Sequence, residues 1–297
     1  MALPFPQNGG MANDILITAE QLADTGVGES VSGGGPLRIL DVRWRLDRPD
    51  GRPEYLAGHI PGAQYVDLDT QLARHGEPVD GRHPLPPVEQ LQRDVRDWGI
   101  DPGDTVVVYD DLKSLSAARA WWLLRYAGIT DVRLLDGALT AWTAAGLPLE
   151  TGEAATPAVG SATLRYGALP ALTIDEAATF PGGGVLLDAR AGERYRGEVE
   201  PIDPRAGHIP GARSAPTAEN VDADGRFLPP EQLRARFSAL GAEPGTPVAA
   251  YCGSGVTAAH EVVALALAGF DAALFPGSWS QWANHPELPL ERGTESS

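Results

Sequence analysis

A single cysteine lies in a loop whose composition favours nucleophilic chemistry. Cys252 follows the apolar residues 248–251 and precedes a glycine-rich loop that leads into an alanine-rich stretch. The apolar residues are typical of a buried strand, and the alanine-rich stretch is typical of a helix. Backbone N–H groups that converge in such a loop attract anions, so they favour a thiolate and can stabilise an anion that the sulfur attacks or carries. The alternative is a buried strand-end cysteine with no reaction to perform.

A run of charged residues supplies the second set of candidates. Residues 190–205 contain four arginines in a chain whose formal net charge is −17. A guanidinium binds a carboxylate or another oxyanion through two parallel hydrogen bonds, so one or two of these arginines are candidates for binding an anionic substrate. The alternative is a solvated loop whose charged side chains pair with one another.

The elements around these candidates occur twice in the chain. An apolar run that ends in an aspartate, with an arginine two residues later, occurs at Asp41 and again at Asp188. The heptapeptide Ala-Gly-His-Ile-Pro-Gly-Ala occupies residues 57–63 and again residues 206–212. These and further landmarks return in the same order at an offset of about 140 to 150 residues, which indicates two copies of one domain.

Each copy is predicted to be an α/β domain. Short apolar runs alternate with helical patterns, which predicts a parallel sheet covered by helices on both faces. We therefore expect a disordered lead at residues 1–13, a first domain at 14–150, a linker at 151–167 and a second domain at 168–297.

Two pairs of duplicated residues are interpreted as structural. Thr18 and Thr173 each stand three residues before a glutamine or glutamate, a capping box that predicts a helix start at the same place in each copy. His59 and His208 belong to the duplicated heptapeptide, so we expect them to support the fold and not to take part in catalysis.

The two copies differ where the cysteine stands. The first copy has Asp110 at that position, followed by Asp-Leu-Lys-Ser and not by a glycine-rich loop. A carboxylate cannot act as a sulfur nucleophile. The first copy is therefore predicted to be inactive and to support a catalytic second copy.

Composition limits the partners and the compartment. The chain is 43% hydrophobic and 21% charged, its apolar runs are too short to span a membrane, and it has no secretion signal, so we expect a cytoplasmic protein. The acidic net charge argues against nucleic acid and anionic membranes as partners. One cysteine excludes an internal disulfide framework and a cysteine-based zinc site, and suits a reducing compartment.

Residues 252–257, Cys-Gly-Ser-Gly-Val-Thr, resemble the active-site loop of the two-domain rhodanese-like sulfurtransferases. The loop has the form typical of 3-mercaptopyruvate sulfurtransferases. Thiosulfate sulfurtransferases usually have basic residues directly after the cysteine, and their absence here favours mercaptopyruvate without excluding thiosulfate. The resemblance extends over residues 14–291 and implies two tandem rhodanese-like domains.

The resemblance also implies roles for individual residues. Arg194 and Arg205 match the arginines that hold the substrate, and Trp44 matches an aromatic residue of the cleft. The predicted active-site loop around the nucleophile consists of Gly253, Ser254, Gly255, Val256 and Thr257.

A proton relay is implied as well. Asp69, His83 and Ser254 match the Asp–His–Ser relay described for the family. Because Asp69 and His83 belong to the first copy, the site is expected to lie between the domains. The alternative is that these two side chains serve only as hydrogen-bonding groups of the structure.

The resemblance implies a sulfurtransferase. We expect sulfur to move from 3-mercaptopyruvate or thiosulfate, through a persulfide on Cys252, to cyanide or to a thiol acceptor such as a thioredoxin-like protein or a low-molecular-weight thiol. Neither a metal nor an organic cofactor is expected. One alternative is a phosphatase of the same fold, which would need a loop arginine that residues 253–260 lack. The other is a non-enzymatic persulfide carrier or regulatory module.

Overall fold

Two parallel β-sheets, one for each sequence repeat, form the framework of the protein. The computed structural model describes residues 15–30 and 34–294. The predicted disordered lead at residues 1–13 therefore lies outside the described residues.

The first sheet is built from strands that lie within the first repeat. Its strands are β1 (Leu16–Ile17), β2 (Leu37–Asp41), β3 (Gln64–Tyr65), β4 (Thr105–Tyr109) and β5 (Val132–Leu135). They pair in parallel in the order β1-β5-β4-β2-β3. The helices of this repeat are α1 (Ala19–Ala23), α2 (Arg52–Ala57), α3 (Leu68–Gln71), α4 (Val88–Asp97), α5 (Ala117–Tyr126) and α6 (Ala138–Ala144), with a 3₁₀ turn at Pro78–Asp80.

The second sheet repeats this arrangement with one strand fewer. Its strands are β6 (Val185–Asp188), β7 (Arg213–Ser214), β8 (Val248–Tyr251) and β9 (Ala272–Leu274), and they pair in parallel in the order β7-β6-β8-β9. The helices are α7 (Ile174–Thr179), α8 (Gly192–Tyr195), α9 (Pro230–Ala239), α10 (Thr257–Leu267) and α11 (Ser278–Ala283), with 3₁₀ turns at Phe180–Gly182 and Thr217–Asn220. In place of a strand equivalent to β1, the described residues form a single parallel bridge between Ala171 and Leu274.

The central strands are mostly apolar because both faces of each sheet are covered. All residues of β4 and β8 are buried. In β4, Val106 and Val108 point into one hydrophobic cluster, whereas Val107 and Tyr109 point into another on the opposite face. The predicted sheets with helices on both faces are confirmed.

Both predicted capping boxes are present. The Thr18 hydroxyl accepts from the Gln21 N–H at 3.2 Å, and the Gln21 side chain accepts from the Thr18 N–H at 2.9 Å. Thr173 and Glu176 exchange the same two bonds at 3.3 and 2.8 Å. Each pair satisfies two N–H groups that the start of a helix leaves without partners.

One hydrophobic cluster joins the two repeats. It includes side chains of α4 and α5 from the first repeat and of α9 and α10 from the second. Helix α5 packs against α10, and residues 117–124 of α5 are all buried. Trp122 is fully buried there. Removing a large apolar side chain from water adds about 1.5–3 kcal/mol to the free energy of unfolding. The domains therefore share a core and have fixed positions relative to each other.

The predicted linker packs along the first domain. Residues 151–167 contain no helix or strand. The Gly160 N–H donates to the Arg96 carbonyl at 2.8 Å, and the Leu164 side chain is buried in the shared core. The domain boundaries at residues 150 and 168 stay predictions.

Candidate active site

A cavity of about 520 Å³ lies at the carboxyl ends of the strands of the second sheet. Cys252 lines it directly after β8, and Arg190 lines it two residues after β6. Trp44 and Arg82 reach it from the first domain. This edge is where parallel α/β sheets usually bind ligands, because the loops that follow the strands converge there. The cavity thus receives residues of both domains.

The cysteine is held in a tight loop. The Cys252 side chain is buried, its N–H donates to Ser278 Oγ at 3.1 Å, and its Sγ accepts from the Gly255 N–H at 3.1 Å. Gly255 has φ +78°, and a Cβ there would lie 2.3 Å from the Pro276 carbonyl oxygen, so the loop requires glycine at this position. A hydrogen bond donated to the sulfur stabilises negative charge on it.

Other N–H groups of the loop are free to bind an anion. Those of Gly253, Ser254 and Val256 have no acceptor within residues 15–30 and 34–294. The loop leads directly into α10, whose first turn adds the positive end of the helix dipole. These groups can stabilise a second sulfur bound to Cys252 or charge that develops on a substrate.

The predicted relay residues meet beside the cavity. His83 Nδ1 lies 2.8 Å from Ser254 Oγ, and His83 Nε2 lies 3.2 Å from Asp69 Oδ1. Asp69 belongs to α3, and His83 follows the 3₁₀ turn at Pro78–Asp80. The structure therefore brings Asp69 and His83 of the first domain to Ser254 of the second.

The His83 ring is neutral near pH 7. Burial lowers its pKa, and the opposing effect of Asp69 is smaller. Since an ionised carboxylate only accepts hydrogen bonds, we assign the ring proton to Nε2, which faces Asp69. Nδ1 is then the acceptor for the Ser254 hydroxyl, so His83 can take a proton that passes through Ser254.

A fully buried arginine from the first domain contacts the cysteine loop. Arg119, on α5, donates to the carbonyl oxygens of Leu72 at 3.1 Å, His83 at 3.0 Å and Gly255 at 3.2 Å. Burial lowers the Arg119 pKa to about 10, and the electrostatic interaction with Cys252 opposes that shift. Arg119 is therefore charged at neutral pH and connects the His83 segment to the cysteine loop.

Three guanidinium groups line the cavity. Arg190 is fully engaged, because it binds Asp188 through Nε and Nη2, Glu200 through Nη1 at 3.3 Å, and the Gly207 carbonyl at 2.7 Å. It therefore supports the cavity wall and has little capacity left for a ligand.

Arg194 and Arg82 share a carboxylate. Arg194 Nη2 lies 2.7 Å from Glu200 and 3.4 Å from Asp203, and Arg82 Nη1 pairs with the same Asp203. Both carboxylates are only 3% exposed. The arginine-rich segment does form ion pairs, as the alternative interpretation expects; those of Arg194 lie in the cavity wall, whereas the Arg196–Glu198 pair is exposed to solvent.

Arg205, the other predicted substrate arginine, is not among the residues that line the cavity. Its guanidinium donates to the carbonyl oxygens of Trp282, Ala283, His285 and Leu288 at 2.8–3.1 Å. Four of its five N–H groups are used in this way. The structure therefore does not bring Arg205 to Cys252, because its side chain holds the segment that follows α11.

Trp44 lies in the cavity wall. Its ring meets the His83 ring edge to face, with centroids 5.2 Å apart and planes at 87°. Its carbonyl oxygen accepts from Ser116 Oγ at 2.8 Å. Trp44 thus covers the imidazole of the relay and presents an apolar surface to a ligand.

The first-domain counterpart of the cysteine loop binds the side chain of its own Asp110. Asp110 is fully buried, and its two oxygens accept from the N–H groups of Leu112, Ser114, Ser116 and Ala117 at 2.8–2.9 Å. This geometry shows that the loop of this fold can bind a carboxyl group through several N–H groups. The site is occupied by a side chain, which agrees with an inactive first domain.

We expect Asp110→Ala to lower stability and to leave catalysis nearly unchanged. The substitution leaves four buried N–H groups without acceptors, which costs roughly 3–5 kcal/mol of unfolding free energy. Asp110 does not line the cavity, so kcat should stay within about twofold of the wild-type value. Urea unfolding and steady-state turnover at low temperature measure the two effects. A large loss of kcat in folded protein would contradict an inactive first domain.

The histidines of the duplicated heptapeptides are structural, as predicted. His59 Nδ1 lies 2.9 Å from the Tyr55 carbonyl oxygen and its ring stacks on Tyr55. His208 and Tyr195 repeat this arrangement at 2.8 Å. Both histidines are buried away from the cavity, so they join a turn to the preceding helix.

A buried histidine lies behind the cavity wall. Thr217 lines the cavity, and its Oγ1 lies 2.8 Å from His260 Nδ1 on α10. His260 is fully buried and stacks on Phe227, with ring centroids 4.5 Å apart. Burial lowers the His260 pKa to about 3.

His260 should make the protein less stable in mild acid. The folded protein keeps His260 neutral down to about pH 3, whereas the unfolded chain protonates it near pH 6.5. The unfolded state therefore binds more protons within this window, so stability falls as the pH falls. Between pH 7.5 and pH 5, this side chain should lower the unfolding free energy by about 2 kcal/mol.

Urea unfolding of wild type and His260→Gln at both pH values tests this expectation. The glutamine variant should lose about 2 kcal/mol less than wild type on acidification, whatever its stability at pH 7.5. A control variant at the exposed His75, His75→Gln, should lose as much as wild type. Equal losses in wild type and His260→Gln would contradict the expectation.

The family model of the rhodanese-like domain matches the chain twice, at residues 27–145 and 173–285. The chain belongs to the rhodanese-like family. The first match contains strands β2 to β5 and the second contains β6 to β9, so each repeat is one rhodanese-like domain. Within the described residues, this rhodanese-like protein has no helix long and apolar enough to cross a membrane.

Several rhodanese-like relatives are similar over nearly the whole chain. The putative thiosulfate sulfurtransferase SseB of Mycobacterium tuberculosis is 49% identical over 283 residues, which cover 94% of this chain and 98% of that protein. The probable 3-mercaptopyruvate sulfurtransferase of Pseudomonas aeruginosa is 47% identical over 299 residues, which cover 95% and 100%. The crystal structure of the 3-mercaptopyruvate sulfotransferase SseA from Escherichia coli superposes with a TM-score of 0.76 at 32% identity, covering 89% of this chain and 98% of that one. This rhodanese-like protein is a sulfurtransferase, as the sequence predicted.

Several residues at the site were not predicted from the sequence, and three of them contact the cysteine loop or supply a charge to the cavity. Ser278 accepts from the Cys252 N–H, Arg119 contacts the loop, and Arg82 lines the cavity. Arg82 could have been identified from the sequence, because it directly precedes the predicted relay residue His83. Arg119 and Ser278 could not, since neither a position inside a helix nor a serine before a tryptophan is a pattern typical of an active site.

Proposed function

We propose that this enzyme transfers sulfane sulfur from a small anionic donor, 3-mercaptopyruvate or thiosulfate, to Cys252 and then to an acceptor. The observation that carries the proposal is the arrangement around one thiol. Cys252 accepts a loop N–H, lies two residues before a serine that is bonded to a neutral histidine, and shares its cavity with three arginines. Each of these groups performs one task that sulfur transfer requires.

The first half of the reaction forms a persulfide. The Cys252 thiolate attacks the sulfur of mercaptopyruvate, a new S–S bond forms, and the C–S bond breaks. The electron pair of that C–S bond leaves as pyruvate enolate, and the transferred sulfur keeps its proton. With thiosulfate, the same attack breaks the S–S bond and releases sulfite. In both cases Cys252 carries one extra sulfur, which the loop N–H groups stabilise.

The relay moves the proton that this step requires. Ser254 takes the proton of the Cys252 thiol and passes its own to Nδ1 of His83, whose charged form Asp69 stabilises. The proton then returns along the same path to the carbon of the enolate, which gives pyruvate. Thiosulfate needs no proton for its leaving group, so the relay should matter more for mercaptopyruvate.

The second half discharges the persulfide. A thiol, from a thioredoxin-like protein or a low-molecular-weight compound, or cyanide attacks the outer sulfur, and Cys252 leaves as thiolate. Such acceptors and a single catalytic thiol suit the reducing cytoplasm, where we place the protein. The catalytic domain at residues 168–297 would act with the supporting domain at residues 14–150, joined by the linker at 151–167.

A comparison of donors tests this function. Purified enzyme should gain the mass of one sulfur after treatment with either donor and should lose it on addition of a thiol. The ratio of kcat/KM for mercaptopyruvate and thiosulfate then identifies the preferred donor. A persulfide that forms without turnover of either small donor would support a non-enzymatic sulfur carrier and contradict the proposal.

A further inference from the structure

A guanidinium of the first domain has an unused binding edge inside the active cavity. Arg82 uses Nη1 for Asp203. Its Nε is buried and has no acceptor within residues 15–30 and 34–294, and its Nη2 would lie 3.0 Å from a Cβ placed on Gly253. The free edge of Arg82 therefore lies over the residue next to Cys252.

The same edge binds carboxylates elsewhere in this chain. Arg43 donates from Nε to Asp41 Oδ1 at 3.0 Å and from Nη2 to Asp41 Oδ2 at 2.6 Å, and Arg190 binds the two oxygens of Asp188 through the same atoms at 3.0 and 2.6 Å. These two nitrogens direct parallel N–H groups at two oxygens of one planar or tetrahedral anion. In Arg82 neither nitrogen of this fork has an acceptor among the described residues.

Arg194 is not equivalent to Arg82. Its Nη2 is occupied by Glu200 and Asp203, so the Nε and Nη1 that it has left do not form a common edge. Its Nη1 would lie 3.4 Å from a Cβ on Gly253. Arg194 can therefore give single hydrogen bonds beside the nucleophile, whereas Arg82 can hold two oxygens at once.

The fixed position of Arg82 makes it suitable as an anchor. Its backbone N–H donates to Ser280 Oγ at 3.1 Å, and Asp203 holds the far side of the guanidinium. An arginine that is held on one side loses less conformational entropy when its other side binds a ligand.

We propose that Arg82 is a donor-binding residue whose Nε–Nη2 fork holds the carboxylate of mercaptopyruvate or the sulfonate group of thiosulfate. Arg82 thereby fills the place beside Arg194 that the sequence assigned to Arg205. This inference rests on the proposed function, because it concerns the donor of that reaction. It means that the inactive domain supplies part of the substrate specificity.

The two half-reactions, measured separately, test this role. Arg82→Ala should load Cys252 with sulfur from either donor roughly 10- to 100-fold more slowly at low donor concentration. After loading with excess donor and gel filtration, discharge by the neutral thiol dithiothreitol should match wild type within about twofold. Arg82→Lys should recover little of the loading rate, because an ammonium has no fork.

Arg74→Ala is the matched control. Arg74 lies in the same part of the first domain and pairs with Asp80, but it does not line the cavity. Normal loading in both Arg82→Ala and Arg74→Ala would overturn the inference. Equal losses in loading and discharge would also overturn it, since they would make Arg82 a structural link between domains. If wild type itself loads no sulfur from either donor, the proposed function fails, and that outcome is distinct from failure of the Arg82 role.

Discussion

Replacing Cys252 by serine is expected to abolish sulfur transfer from every donor. A serine hydroxyl is a poor nucleophile at neutral pH and cannot hold a persulfide, so turnover should fall below about 1% of wild type. Serine has nearly the same volume, and its oxygen can still accept the Gly255 N–H. The free energy of unfolding should therefore change by only about 1 kcal/mol. Turnover with both donors, together with urea unfolding, measures the two quantities.

Mass spectrometry provides the control for this variant. The chain has no other cysteine, so a persulfide can form only at Cys252. Wild type should gain one sulfur after treatment with a donor, and Cys252→Ser should gain none. An added sulfur on the serine variant, or activity above a few per cent, would contradict the assignment of the nucleophile.

Arg194→Ala is expected to cause the second-largest loss. The long-range field of a chain with net charge −17 repels anions, so donor binding depends on short contacts that are partly buried and weakly screened by salt. Loss of one charge-assisted contact costs about 1.5–3 kcal/mol, or roughly 10- to 150-fold in kcat/KM. If Arg194 stabilises the transition state, kcat should fall together with affinity.

Arg196→Ala is the appropriate comparison for Arg194. Arg196 belongs to the same segment and carries the same charge, but it pairs with the exposed Glu198 and does not line the cavity. Its removal should change kcat/KM by less than about twofold. Arg194→Lys should recover only part of the activity, because a point charge does not reproduce a guanidinium. Equal small effects at Arg194 and Arg196 would place the substrate site elsewhere around Cys252.

Local patterns predicted most of the fold. The repeated heptapeptides and the apolar runs before Asp110 and Cys252 were sufficient for two parallel sheets, because a strand buried on both faces is mostly apolar. The strand equivalent to β1 was not predictable in the same way. Residues 172–173 resemble residues 17–18, yet the described structure forms only a single bridge at Ala171. A sheet edge can gain or lose two hydrogen bonds with little change in its amino-acid composition.

The site was predictable where function depends on residues close in sequence. The cysteine loop is one such stretch. The positions of Arg82 and Arg205 instead depend on contacts between segments far apart in the chain, with residue 203 for Arg82 and with residues 282–288 for Arg205. Nothing in the neighbouring residues distinguishes an arginine that faces a cavity from one that binds backbone carbonyls. Only the packed structure separates the two.

The shared core has a consequence for biosynthesis. The buried face of α5 is completed by α10, which ends about 140 residues later in the chain. At a synthesis rate of roughly 5–20 residues per second, the ribosome needs about 7–28 s to make that stretch. Throughout this interval the face of the apolar helix α5 that packs against α10 has no partner. The nascent chain is therefore most exposed to aggregation, and most dependent on chaperones, between synthesis of its two halves.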